Sequence, residues 1–167
     1  MKIARIALAL TLGSATAATF SLAQSAAQSP AGKVHIYDTQ ADAKADIAAA
    51  IKQARAQHKR VILDFGGNWC GDCIVLDRNF HSPENQALLD KYFIVVHVDI
   101  GDHGEKNVDV ATKYGVPLEK GVPALAVVDG HGKLIYSQKN GEFESMRRMD
   151  PSSVAQFLEQ WKPGVKA

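Results

Sequence analysis

The chain has 167 residues, with 19 Lys and Arg against 18 Asp and Glu, and 46% of its residues are hydrophobic. That length and apolar content suit one packed domain. The near-neutral balance offers neither a nucleic-acid surface nor a polybasic membrane anchor, so neither partner is expected.

In chain order, Lys2 and Arg5 form a basic head before the apolar stretch Ile6 to Leu12, and small residues run on through Ser21-Leu22-Ala23. This is the pattern of a signal peptide over residues 1–23, cut before Gln24, with Ser25-Ala26-Ala27 as an alternative site. A retained anchor helix is the competing reading, but the apolar core is shorter than the ~20 residues a membrane span needs. Export is therefore expected, to the periplasm or beyond the cell, into a compartment where disulfides persist. Cleavage leaves 144 residues with a charge near −1. Residues 24–33 read as a flexible leader, 34–162 as the folded domain and 163–167 as a tail.

Within the domain, 34–37 reads as a short strand, and Ala43, Ile47, Ala50, Ile51 and Ala54 mark one face of a helix over 41–58. Val61 to Phe65 is a continuous apolar run, expected of a strand covered on both faces, and Asp64 is its only charge. A helix is expected to start at the cysteines, and Ser82-Pro83-Glu84 starts another that ends near Tyr92. A strand over 93–98 and a short helix from Val108 to Tyr114, closed by Gly115, follow. Strands over 124–128 and 133–136 flank the turn Asp129-Gly130-His131-Gly132. The last helix opens with Asp150-Pro151 and carries Val154, Phe157, Leu158 and Trp161 as its core stripe. The expected order is β-α-β-α-β-α-β-β-α, an α/β fold whose mixed sheet closes with an antiparallel hairpin and carries helices on both faces.

The chain's two cysteines sit three apart in Trp69-Cys70-Gly71-Asp72-Cys73. As a structural staple, so short a loop stabilises a fold by only about 2 kcal/mol. Zinc needs four ligands, and no second Cys pair exists. Reversible thiol–disulfide chemistry is the reading that a Cys-x-x-Cys beside a βαβ pattern favours, with no cofactor required.

These pieces, in this order, resemble the thioredoxin superfamily over about residues 34–162. The resemblance rests on Asp64-Phe65, Trp69-Cys70-Gly71-Asp72-Cys73, Lys113-Tyr114-Gly115-Val116, Val122-Pro123 before a strand, and Asp129-Gly130-x-Gly132-Lys133. The segment Phe80-His81-Ser82-Pro83-Glu84-Asn85 leading into 93–99 is most similar to periplasmic thiol–disulfide interchange proteins. The resemblance implies that Cys70 attacks, activated at a helix N-terminus, and that Cys73, a turn further in, resolves the mixed disulfide. It implies that Asp64 moves the Cys73 proton; burial favours the protonated form of a carboxyl, as such a shuttle needs. Asp64 at a strand end facing solvent is the competing reading. Trp69 is implied as a flat wall by the disulfide, against a plain core aromatic. Gly71 and Asp72 border the client, Pro123 is implied as a cis-proline, and the Val122 backbone pairs with the incoming peptide. The partners implied are protein thiols and disulfides, with a membrane or periplasmic thiol donor, acting on a monomer.

Three departures from thioredoxin shape the expectations. Cys-Gly-Pro-Cys is here Cys-Gly-Asp-Cys, which places a carboxylate near Cys70. At ~7 Å its repulsion is about 0.6–2.4 kcal/mol, comparable to the helix-terminus gain, so a thiol of moderate acidity and a reducing role are expected. Pro117-Leu118-Glu119-Lys120 lengthens the loop before Pro123, and the strand over 93–98 supplies His97 but no lysine beside Asp64. His97, Asp99, Asp102, His103 and Glu105 read either as metal ligands or as a strand end and solvated turn, and no metal is expected. The stretch from Gln138 to Met149, with Phe143, Met146, Arg147 and Arg148, reads either as a partner grip or as a mobile loop. The alternative to an oxidoreductase is a thioredoxin-fold binding module, a chaperone or a metal carrier.

Overall fold

A computed structural model describes residues 35–164 of the chain. The expectations of a signal peptide over 1–23, of the leader over 24–33 and of most of the tail lie outside the described residues.

Helix α1, Ala43–Gln57, begins where the Asp42 carboxylate accepts the backbone N–H groups of Lys44 and Ala45 at 3.0 and 3.1 Å. It ends at His58, whose left-handed backbone (φ 56°) turns the chain into strand β1, Arg60–Gly66. Helices α2 (Gly71–Phe80) and α3 (Pro83–Tyr92) follow, separated by His81 and Ser82. Pro83 causes the break: it has no N–H to continue α2, and it holds Ser82 in an extended conformation. Strand β2 (Phe93–Asp99), helix α4 (Val108–Lys113), strands β3 (Ala124–Val128) and β4 (Leu134–Ser137), and helix α5 (Ser153–Trp161) complete the order.

The sheet order is β2-β1-β3-β4. β1 runs parallel to β2 and antiparallel to β3, which pairs antiparallel with β4. Because strand side chains alternate, the sheet divides the core in two. Val61, Leu63, Phe65, Val96 and Val98 pack with α1 and α4, whereas Ile62, Leu125 and Val127 pack with Leu76 and Phe80 of α2 and Phe157 and Leu158 of α5. Asp64 has the parity of Ile62 and lies opposite His97 in the register. The fold thus sets the two side by side.

Two expected element boundaries change. Residues 35–37 form no strand: Ile36 and Tyr37 donate their backbone N–H groups to Asn68 Oδ1 (2.8 and 3.0 Å), and Asn68 Nδ2 donates to the Tyr37 carbonyl (2.7 Å). One amide side chain satisfies the backbone that a sheet neighbour was expected to satisfy. The last helix begins at Ser153 rather than at Asp150-Pro151. There the Asp150 carboxylate accepts from the Ser152 N–H at 2.8 Å and its hydroxyl at 2.6 Å, closing a turn first. The stretch from Gln138 to Met149 is anchored, with Gln138, Phe143 and Met146 buried.

Candidate active site

Cys70 is the N-cap of α2, and it is bonded to Cys73 as a disulfide. The Cys73 backbone N–H donates to Cys70 Sγ at 3.1 Å. This N–H is one of the groups a helix start leaves without an intrahelical partner, so it and the helix dipole favour negative charge on that sulfur. Cys70 is 5% exposed and Cys73 is fully buried. Any incoming sulfur therefore meets Cys70 first.

Around Cys70 lie the residues expected to meet a client. Trp69 is 52% exposed, and its Nε1–H donates to the Gly101 carbonyl at 2.8 Å. This fixes the indole as a surface wall and excludes the core-aromatic reading. The Val122-Pro123 peptide bond is cis, and the Val122 carbonyl oxygen lies 3.5 Å from Cys70 Sγ. Beside them opens a cleft of about 560 Å³, lined by Trp69, Ile100, Leu118 and Val122 with Asp102 and Glu119 among its acidic groups.

Asp72 does not stand beside Cys70 as a lone carboxylate. Its Oδ1 accepts from the Arg147 backbone N–H (2.9 Å), and its Oδ2 accepts from Arg147 Nε (3.1 Å) and Nη2 (2.8 Å). Those Arg147 side-chain hydrogen bonds hold the carboxyl below the usual aspartate range. A Cβ on Gly71 would meet Arg147 Cζ at 3.7 Å, so the guanidinium lies against the turn between the cysteines. The repulsion expected from Asp72 is opposed by an equal positive charge, and the loop carrying Arg147 supplies it.

Asp64 is fully buried, which excludes the solvent-facing reading. Its Oδ2 accepts from Tyr37 Oη at 2.9 Å and pairs with His97 Nδ1 at 2.8 Å, while its Oδ1 has no hydrogen-bond partner among the described residues. Tyr37 is what ties the carboxylate to the cysteines. A Cβ on Gly66 would overlap Tyr37 Oη and lie 2.7 Å from Cys73 Sγ, so hydroxyl and sulfur sit within about 5 Å of each other. Burial, then the charge and hydrogen bond of Asp64, push the Tyr37 hydroxyl far above its ordinary range, so it remains a proton donor. Burial lowers the His97 pKa, but the hydrogen bond and charge of Asp64 outweigh it, with Asp77 adding, and hold it above the usual value. The rings of Tyr37 and His97 meet edge to face at 5.4 Å.

The sequence reading missed Tyr37 and Gly66 as parts of the site; it took His97 as a metal candidate and as the one polar residue the 93–98 strand offers in place of a lysine beside Asp64, without assigning it a partner. Strand parity and register, applied to Asp64, carry the signal for His97. Tyr37 had none, since its position depends on Asn68. The metal candidates are dispersed: His97 serves Asp64, Asp99 pairs with Lys106 at 3.1 Å, and Glu105 accepts the His103 N–H at 2.8 Å.

With this geometry in place, comparison with known proteins defines the class. The family model described as thioredoxin-like matches residues 42–130, and the chain belongs to that family. A disulphide isomerase from Xylella fastidiosa Temecula1 is 35% identical, with 76% of this chain and 96% of that one covered at a TM-score of 0.72. The reduced C-terminal domain of DsbD from Neisseria meningitidis shares the fold at 21% identity, covering 70% of this chain and 95% of that one at a TM-score of 0.50. A comparison with curated protein sequences gives no match. Fold, family and the Cys70–Cys73 pair make the protein a thiol–disulfide oxidoreductase.

Proposed function

We propose that the protein is exported and exchanges its Cys70–Cys73 pair with disulfides of protein clients, acting from the dithiol form as a reductant. One observation carries the reading: an N-cap sulfur, the only one of the pair with any exposure, is backed by a fully buried second sulfur and a buried carboxylate. The Cys70 thiolate attacks a client disulfide, bonding to one client sulfur and releasing the other as a thiolate that takes a proton from water. Cys73 then gives its proton to Asp64 and attacks Cys70. The Cys70–client bond breaks, its electron pair leaves with the client sulfur, and that sulfur is protonated in turn. The client gains two electrons and two protons, and the cysteine pair ends oxidised.

Two observations support the reducing direction. Arg147, whose guanidinium lies against the turn, is ion-paired with Asp72 at 2.8 Å, which opposes the positive charge that would push the pair towards a strong oxidant. The similar Xylella protein is described as an isomerase, and isomerisation begins with the same dithiol attack. Trp69, Gly71, Asp72, Val122 and Pro123 border the client's path, with the Val122 backbone as its pairing edge. The pattern of residues 1–23 supports export to the periplasm, where a reductant requires a membrane-bound or neighbouring thiol donor. The protein acts as a monomer in this reading.

Reduction of a protein disulfide such as insulin, with a small dithiol as donor, tests it. Cys70→Ser should abolish turnover, and Cys73→Ser should accumulate mixed disulfides through Cys70. Turnover that survives Cys70→Ser would remove the proposed function and favour a binding module.

A further inference from the structure

The buried carboxylate is paired with an imidazole, and this pair reaches a cleft along the edge strand β2. His97 Nδ1 is committed to Asp64 Oδ2 at 2.8 Å, and the ring makes no other hydrogen bond among the described residues. The imidazole is a quarter exposed and lines a cleft of about 320 Å³ along the edge strand β2. Nε2 is thus the nitrogen that can trade protons with solvent. The other Asp64 oxygen, Oδ1, is buried and without a partner among the described residues, an arrangement that is costly unless a proton or a donor visits it.

We propose that His97 is the proton-linked counter-charge of Asp64: its imidazolium keeps the carboxylate ready for the Cys73 proton and releases its own Nε2 proton to the β2 cleft as Asp64 becomes neutral. This rests on the dithiol chemistry of the proposed function. In the resolving step the Cys73 S–H proton passes to Asp64 Oδ1, directly or through water. The partly exposed imidazolium has then lost its counter-charge and gives a proton to water in the cleft. The Cys73 sulfur attacks Cys70, and the client sulfur leaves with the bonding pair. When a donor reduces the disulfide, Cys73 departs as thiolate and recovers the proton from Oδ1, and His97 regains one from water. The dyad therefore returns to neutrality after each proton transfer instead of keeping an unbalanced charge beneath the cysteines, where burial makes one costly.

The charged and titratable groups facing His97 are few. Asp64 on β1 and Tyr37 on the segment before α1 touch it, and Asp77 of α2 adds negative charge. Across the cleft stand Lys59, His81 and Asp90. Lys59 Nζ lies 2.7 Å from the Asp90 carbonyl oxygen, His81 Nδ1 lies 2.8 Å from the Asp77 carbonyl oxygen, and the Asp90 carboxylate accepts from Gln86 Nε2 at 2.8 Å, so none of the three is hydrogen-bonded to His97. Tyr37 stays protonated, and the hydrogen bond and charge of Asp64 hold the His97 pKa above its usual value, so within the triad His97 is the group whose protonation answers the charge on Asp64.

The test measures the Cys73 resolving step in single turnover, from a preformed Cys70–peptide mixed disulfide, between pH 5.5 and 9. It uses the wild type, His97→Gln and His97→Lys. The wild-type profile should carry an inflection that coincides with the His97 titration seen by NMR. His97→Gln should lose the inflection and slow the step about tenfold or more at pH 7. His97→Lys restores the positive charge that readies Asp64 but keeps its proton over this range, so it should recover part of the rate without the inflection. A His97→Gln profile of wild-type shape, or a folded His97→Lys protein as slow as His97→Gln, would overturn the proposal. NMR titration of His97 in the wild type and in Asp64→Asn keeps the linkage separable from the function. A titration point that falls in Asp64→Asn supports the linkage even in a protein that reduces no client, and an unchanged one refutes it.

Discussion

Gly66→Ala is the substitution that most directly probes how closely the sheet and the redox pair are fitted together. Gly66 ends β1, and an added methyl there would overlap Tyr37 Oη and lie 2.7 Å from Cys73 Sγ. Neither neighbour can yield freely: Tyr37 and Cys73 are both buried, and the sulfur is tied to Cys70. Overpacking of this kind costs about 1–3 kcal/mol. Relief by moving the tyrosine breaks its hydrogen bond to buried Asp64, worth about 1.5–3 kcal/mol for a charged acceptor. The expected loss is thus about 2.5–6 kcal/mol, or some 10–24 °C in unfolding midpoint at about 4 °C per kcal/mol for a domain of this size. Thermal unfolding of the oxidised protein by circular dichroism measures it. Tyr37→Phe removes the overlapping oxygen, so the Gly66→Ala penalty should shrink by about 1 kcal/mol or more in that background. A midpoint within about 3 °C of wild type for Gly66→Ala, or strict additivity with Tyr37→Phe, would refute the packing argument.

Other outcomes follow from the same contacts. Alkylation of the reduced protein near neutral pH should label Cys70 before Cys73, because Cys73 is fully buried; mass mapping of the modified peptide reads this. Asp72→Asn should raise the reduction potential by some tens of millivolts, since it removes the negative charge opposing Arg147, and Arg147→Ala should lower it; glutathione equilibria report both. The raised His97 pKa means that its ion pair stabilises the fold fully below the unfolded value of about 6.5 and progressively less as pH rises through the folded value. The stability gap between wild type and His97→Gln should therefore be wide at pH 6 and narrow towards pH 9 in urea unfolding. Trp69→Ala should leave the unfolding midpoint nearly unchanged, because half of the indole faces solvent, yet slow reduction of protein clients more than of small disulfides.

Much of the architecture was readable because apolar period and turn chemistry agree locally. Val61 to Phe65 became the central strand, Ser82-Pro83 split two helices, and Val154, Phe157 and Leu158 buried the last one, as spacing alone predicted. The segment before α1 was misread because its backbone is satisfied by Asn68, a side chain 31 or 32 residues away that no local pattern announces. The site divides in the same way. Cys70, Cys73 and Asp64 lie within one short stretch and its motif. The partners that set their charge come from far away: Tyr37 lies 27 residues from Asp64, His97 33 residues, and Arg147 75 residues from Asp72. His97 was recoverable once β1 and β2 were placed in parallel register. Arg147 was not, because its loop follows an irregular path anchored by Phe143 and Met146.

The reduction potential of the Cys70–Cys73 pair tests the central claim most directly. Equilibration with glutathione of defined composition, read by the ratio of dithiol to disulfide, gives the value. A reductant with a charge-balanced turn should lie nearer thioredoxin, at about −270 mV, than the strongest oxidant of the superfamily, at about −120 mV. A potential above about −150 mV would contradict the assigned direction and make the protein an oxidant.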